Sequence, residues 1–70
     1  MRVEGIVTAF DEARGDGEVT TDRGERLYLH CVAIADGSRS VALGARVAGE
    51  RRVGRRGADE IGALERLDGP

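Results

Sequence analysis

Glycine divides this chain into short apolar stretches, and that spacing limits its possible folds more than any other feature of the sequence. The 70 residues include 11 glycines and a single proline, which is the last residue. The apolar stretches between glycines have the length of β-strands rather than helices, roughly four to eight residues. We therefore predict short strands joined by tight turns, in one domain over residues 1–70 with its core at about 2–67.

Alternation of apolar and polar residues places the individual strands. Four stretches are predicted as strands: Arg2 to Phe10, Glu18 to Thr21, Arg26 to Val32 and Arg46 to Val53. The third alternates most clearly, because Leu27 and Leu29 share one face and Tyr28 and His30 share the other. The fourth is expected to contribute little to the core, since Gly49 and two arginines interrupt it.

The last stretch, Ala58 to Leu67, has two interpretations. Ile61, Leu64 and Leu67 recur at helical spacing, with acidic residues at the start and Arg66 near the end, a charge order typical of a helix. The alternative is a fifth strand. Five β segments in so short a chain favour a small closed or nearly closed barrel, because a small sheet leaves exposed edges.

The charge distribution does not favour a protein that depends on phosphate contacts. Eleven basic residues, all arginine, stand against 13 acidic ones, for a net charge of -2. Residues 1–30 carry four arginines and seven acids, a charge of -3, and residues 31–70 carry seven arginines and six acids, a charge of +1. Proteins held mainly by phosphate contacts usually carry a basic field.

The sequence lacks the residues that an internal disulfide or a zinc site needs, and it carries no enzyme signature. Cys31 is the only cysteine and His30 the only histidine, so the chain offers neither an internal disulfide nor a zinc ligand set, and no metal or cofactor is predicted. A nucleophilic Cys31 beside His30 is not expected, because adjacent strand residues point to opposite faces. We predict no enzyme. With no apolar run of membrane length and no signal peptide, a cytoplasmic location without membrane contact is expected.

The first half of the chain carries a family resemblance. Its residues read Gly5-Ile6-Val7-Thr8-Ala9-Phe10-Asp11, then Arg14-Gly15-Asp16-Gly17-Glu18-Val19, then Leu27-Tyr28-Leu29-His30-Cys31. This order resembles the Gly-x-Val-x-Trp-Phe-Asn, Lys-Gly-Phe-Gly-Phe-Ile and Val-Phe-Val-His-Phe segments of the bacterial cold-shock domain. Residues 41–47 and the glycines at 54 and 57 match more loosely. The resemblance implies an all-β, five-stranded antiparallel OB-fold barrel with its fifth strand in residues 58–67, and binding of single-stranded RNA or DNA.

The chain departs from the family at most of the aromatic positions on which bases stack. Five of these positions hold Ala9, Asp16, Glu18, Cys31 and Ser38. Each stacked base contributes about 1–3 kcal/mol, so binding is expected to be weak and to depend steeply on salt.

The remaining candidates are three rings and five arginines. Tyr28 and His30 are predicted to form the binding face with Phe10 beside them. Arg14 is predicted to contact phosphate. The arginine cluster around the loop at 54–57 is predicted to do the same, or else to pair with Asp59 and Glu60 in a solvated turn. The predicted binding residues are therefore Phe10, Arg14, Tyr28, His30, Arg51, Arg52, Arg55 and Arg56.

Two classes of function stay open at this point. The resemblance favours a divergent single-stranded nucleic-acid binder, and nothing in the sequence distinguishes RNA from DNA as its partner. Asp16 and Glu18, at positions that rings occupy in the family, favour a module that binds another protein. This second class includes self-association as a homodimer, which is suggested by a fourth strand that is poor in apolar residues.

Overall fold

The computed structural model describes residues 1–35, 37–54 and 59–67 and contains five strands. Their bounds are β1 Arg2–Asp11, β2 Asp16–Thr21, β3 Arg26–His30, β4 Arg46–Val53 and β5 Asp59–Arg66. A short 3-10 turn, Cys31–Ala33, follows β3. In the described part of the chain, no helix has the length and apolar character to cross a membrane.

The strands close into a barrel in the order β1-β2-β3-β5-β4, with β4 pairing back onto β1. Four of the five pairings are antiparallel, and β3 pairs with β5 in parallel, with Tyr28 opposite Glu60 and Leu29 opposite Ile61. The prediction of an all-β five-stranded barrel is confirmed, and the barrel is OB-fold-like. Four pairings have the antiparallel sense that was predicted for the barrel, and the β3–β5 pair is parallel.

The core lies inside the barrel and is aliphatic. Alternation turns every second residue of a strand inward, which buries Leu27 and Leu29 of β3 while Tyr28 and His30 face outward. The largest fully buried side chains come from all five strands: Val7, Val19, Leu27, Leu29, Val47, Ile61 and Leu64.

The fourth strand contributes more to the core than its sequence suggests. Val47 and Ala48 are fully buried, so the expectation of a weak contribution is wrong. Gly49 is buried too, and a Cβ at that position would lie 2.7 Å from the carbonyl oxygen of Gly62. The glycine therefore lets β4 and β5 approach closely rather than weakening the strand.

A bulge in β1 changes the face on which Phe10 lies. Val7 pairs with Val19 but Ala9 pairs with Glu18, so β1 carries one extra residue, Thr8, at this point. A one-residue bulge reverses the alternation beyond it. Phe10 is therefore half-buried against the core.

A second bulge explains the helical spacing in the last stretch, which the structure shows to be a strand. Ala48 pairs with Glu65 and Glu50 with Gly62, so β5 has one extra residue between these pairs, and Ala63 there has a φ of 49°. The extra residue brings Ile61 and Leu64 to the same, buried side of the strand. Leu67, the third residue of the apparent helical stripe, is exposed instead.

Two other strand ends differ from the predicted ones. β2 begins at Asp16, two residues before the predicted start at Glu18. β3 ends at His30 rather than Val32, because the chain turns there into the 3-10 segment.

Candidate nucleic-acid interface

Tyr28 and His30 stand side by side on the outer face of β3. Their ring centroids are 6.5 Å apart and their planes are tilted by 55°. Tyr28 is 40% exposed, although its ring lies on a sheet. The structure thus brings these two predicted site residues together on one open face.

His30 also holds the backbone of the turn that follows it. Its Nδ1 accepts a hydrogen bond of 3.2 Å from the backbone N–H of Val32, which caps the 3-10 turn. An accepting Nδ1 places the proton of the neutral ring on Nε2. Cys31 lies in the turn rather than in the strand, and its Sγ is 3.9 Å from this Nδ1. The expectation that the Cys31 and His30 side chains point apart is therefore wrong.

Acidic residues flank Tyr28 on both neighbouring strands. In the barrel register Tyr28 lies between Glu18 on β2 and Glu60 on β5. Its hydroxyl donates a 3.1 Å hydrogen bond to Oδ2 of Asp16. Partial burial, followed by this hydrogen bond, raises the pKa of the phenol. The platform is therefore aromatic in the middle and acidic at its sides.

Arg14 and Asp16 form an ion pair at the edge of the same face. Nη2 of Arg14 lies 3.0 Å from Oδ2 of Asp16, the oxygen that also accepts from Tyr28. The Asp16 side chain is only 16% exposed, whereas that of Arg14 is 72% exposed. Glu18, the other outward-facing acid of β2, accepts a 3.2 Å hydrogen bond from Thr8 Oγ1. Both acids therefore have partners within the protein.

Phe10 does not lie beside Tyr28 and His30, contrary to the prediction. Its partner across the strand is Gly17, whose own partner on β3 is the buried Leu29. The β1 bulge sends Phe10 to this inner side. There it lines an open groove of about 650 Å³ together with residues of the segment before β4, including Val41.

Arg51 and Arg52, which were predicted to form one basic cluster, lie on opposite sides of β4. Arg51 pairs with the buried Ile61, and its guanidinium bonds to Asp59 and lies 2.8 Å from Glu25. The hydrogen bond to Asp59, with the charges of both acids, raises the pKa of Arg51. The alternative of an arginine paired within the protein is thus observed here, with Glu25 rather than Glu60 as the second partner.

Arg52 points to the opposite side of β4 from its neighbour. It pairs with Glu60 across the strands, and its guanidinium lies over Gly62, where a Cβ would come within 2.5 Å of Nη1. Arg52 is thus in the outward row that contains Tyr28, two strands away. Arg55 and Arg56, the other two members of the predicted cluster, lie outside the described residues.

Two features of the face were missed from the sequence. Glu60 reaches Tyr28 only through the parallel β3–β5 pairing, which no local pattern signals. The second feature is the hydrogen bonding of Arg14 and Tyr28 to Asp16. The sequence contains one indication of it, because Arg14 and Asp16 are opposite charges two residues apart. Within residues 1–35, 37–54 and 59–67, no group of three or more His, Cys, Asp or Glu side chains could hold a metal ion.

Searches for related proteins do not assign this chain to a family. No protein-family model matches the sequence, and no curated protein matches it. The class defined by the coordinates is a closed, five-stranded, OB-fold-like β-barrel that presents Tyr28 and His30 on its outer surface.

Proposed function

We propose that this protein binds single-stranded nucleic acid, with low affinity, on the outer face of β2 and β3. The observation that carries the proposal is the exposed pair of rings, Tyr28 and His30, 6.5 Å apart on β3. OB folds bind oligonucleotides on the face of strands 2 and 3 and with the loops that connect β1 to β2 and β4 to β5. Bases stack on aromatic side chains there without regard to sequence.

The positions of the arginines support the same surface. Arg14 lies in the connection from β1 to β2, and Arg52 is in the outward row of Tyr28 near the end of β4. Low affinity follows from two rings instead of a full platform and from the acids beside them.

The proposal includes the origin of the barrel. We infer that the chain is a divergent member of the bacterial cold-shock domain family that has lost most of its stacking rings. The closed barrel and the Tyr28–His30 pair on its third strand support this inference. A cytoplasmic location belongs to the same proposal, because single-stranded RNA is abundant there.

Fluorescence anisotropy of a labelled oligo-dT and a matching oligo-U tests the proposal. Replacement of Tyr28 by Ala should weaken binding by about 1–3 kcal/mol, the value of one stacked base. The matched control, Tyr28→Phe, keeps the ring and should retain binding. Equal affinity of the Ala and Phe variants would contradict stacking on Tyr28, and no saturable binding at about 50 mM salt would contradict the proposed function.

A second candidate, a module that binds a cationic protein segment, is favoured by one observation. Tyr28 lies between Glu18 and Glu60 with Asp16 at its hydroxyl, and an aromatic ring bordered by carboxylates fits an Arg or Lys side chain. A labelled arginine-rich peptide distinguishes the candidates. Binding of the peptide but not of the oligonucleotides, with loss on Tyr28→Ala, would support the protein-binding function. Sedimentation of the protein alone tests self-association.

A further inference from the structure

Two donors on the proposed binding face that suit a phosphate already bond to one atom of the protein itself. Oδ2 of Asp16 accepts from Arg14 Nη2 at 3.0 Å and from the Tyr28 hydroxyl at 3.1 Å. A phosphate oxygen bound to this face would take the same pair of donors, because both are exposed and each can donate to an anion. We propose that the Asp16 carboxylate is an internal substitute for phosphate, which keeps the face in a low-affinity state.

This inference rests on the proposed function and extends it to the control of affinity. Asp16 is well placed for such a role because its side chain is mostly covered while its arginine partner is open to solvent. Asp16 also lies directly opposite His30 in the β2–β3 register, and its carboxylate bridges Arg14 and the Tyr28 hydroxyl. A nucleic-acid backbone must therefore compete with Asp16 for the Nη2 donor of Arg14 and for the Tyr28 hydroxyl.

Glu18 provides a matched control on the same strand and the same face. Its carboxylate accepts from Thr8, and in the described residues neither Arg14 nor the Tyr28 hydroxyl donates to it. Asp16→Asn and Glu18→Gln each remove one negative charge beside Tyr28. Only the first weakens the hold on the two donors, because a neutral amide oxygen accepts less strongly than a carboxylate. A difference between the variants therefore separates competition by Asp16 from general repulsion.

The experiment measures oligo-dT binding by these two variants and by Arg14→Ala, alone and combined with Asp16→Asn. We expect Asp16→Asn to raise affinity about tenfold at low salt, comparable to one charge-assisted hydrogen bond, and Glu18→Gln about twofold. The slope of log K against log salt should become steeper by about 0.7 in Asp16→Asn, since one more phosphate is neutralised. Arg14→Ala should cost little in the wild type and cancel the gain in the Asp16→Asn background.

Equal gains for the two charge variants, or an equal cost of Arg14→Ala in both backgrounds, would overturn the inference and leave the proposed function in place. A short inorganic polyphosphate serves as a second probe that has no bases. If Asp16→Asn binds it through Arg14 while no variant binds the oligonucleotide, the inference stands and the proposed function fails. If no variant binds either probe, both fail. Asp16→Ala, which keeps no amide in place of the acid, repeats the test should the Asn variant not fold.

Discussion

Adding aromatic rings to the outer face of β2 should strengthen the proposed binding of nucleic acid. Asp16 is opposite His30 and Glu18 is opposite Tyr28 in the β2–β3 register. Cross-strand neighbours of this kind have Cβ atoms about 4.5–5.5 Å apart, so phenylalanine at both positions would place two new rings against the two existing ones. The Asp16→Phe, Glu18→Phe variant therefore converts a pair of rings into a four-ring surface.

The expected gain follows from the value of a stacked base. Each added ring contributes about 1–3 kcal/mol, or about 2–6 kcal/mol for two rings if their effects add. Neighbouring rings share the same bases, so their effects will add incompletely, and we expect an increase in affinity of at least about tenfold.

The Asp16→Asn, Glu18→Gln variant removes the same two charges without adding rings, and it is the control for repulsion and for the release of Arg14. Anisotropy titrations of a labelled oligo-dT with both double variants and the wild type measure the difference. The reasoning predicts that the Phe variant binds more tightly than its charge-matched control. If a folded Phe variant binds no better than that control, the assignment of these positions to a stacking surface is refuted.

Three further predictions concern stability and ionisation. Leu29→Ala should lower the free energy of unfolding in urea by about 2–5 kcal/mol, whereas Val53→Ala, at an 86% exposed side chain, should change it by less than about 0.5 kcal/mol. Gly5→Ala should destabilise the barrel by about 1–3 kcal/mol or more in the same assay, because its Cβ would lie 2.3 Å from a carbonyl oxygen of the neighbouring strand; an unchanged urea midpoint would contradict this contact. Tyr28 is the only tyrosine, so phenolate absorbance measures the pKa of this one residue. The Asp16→Asn variant should lower the raised pKa of Tyr28 toward about 10, because the hydrogen bond to a carboxylate is lost. The pKa should stay above 10, because the partial burial of the phenol remains. The pKa of Tyr28 is higher in the folded protein than in the unfolded chain, so the neutral phenol stabilises the fold fully below about pH 10. This stabilisation is lost as the pH rises through the pKa of the folded state. The Tyr28→Phe variant should not show this loss.

The strands could be predicted from sequence to the extent that alternation was regular. β3 alternates without interruption, and the burial of Leu27 and Leu29 follows its pattern. β1 and β5 each contain one extra residue, and an extra residue changes the face of everything beyond it. Phe10 was assigned to the wrong face for this reason, and β5 took on the spacing of a helix.

The candidate site could be predicted only in its local part. Tyr28 and His30 are two residues apart on one strand, so their common face follows from the sequence. The separation of Arg51 from Arg52 follows from the same rule, yet their adjacency in the chain suggested a single basic cluster. The position of Glu60 beside Tyr28 depends on a parallel pairing between strands that are far apart in the chain, and such a pairing carries no local signal.

A titration of the isotope-labelled protein with oligo-dT, followed by amide chemical shifts, tests the central claim most directly. We expect saturable shift changes concentrated in residues 14–18 and 28–31, with Tyr28 and His30 among the largest, and little change at the buried Val41. Changes confined to the surface of β1 and β4, or no changes at about 50 mM salt and a large excess of oligonucleotide, would contradict it.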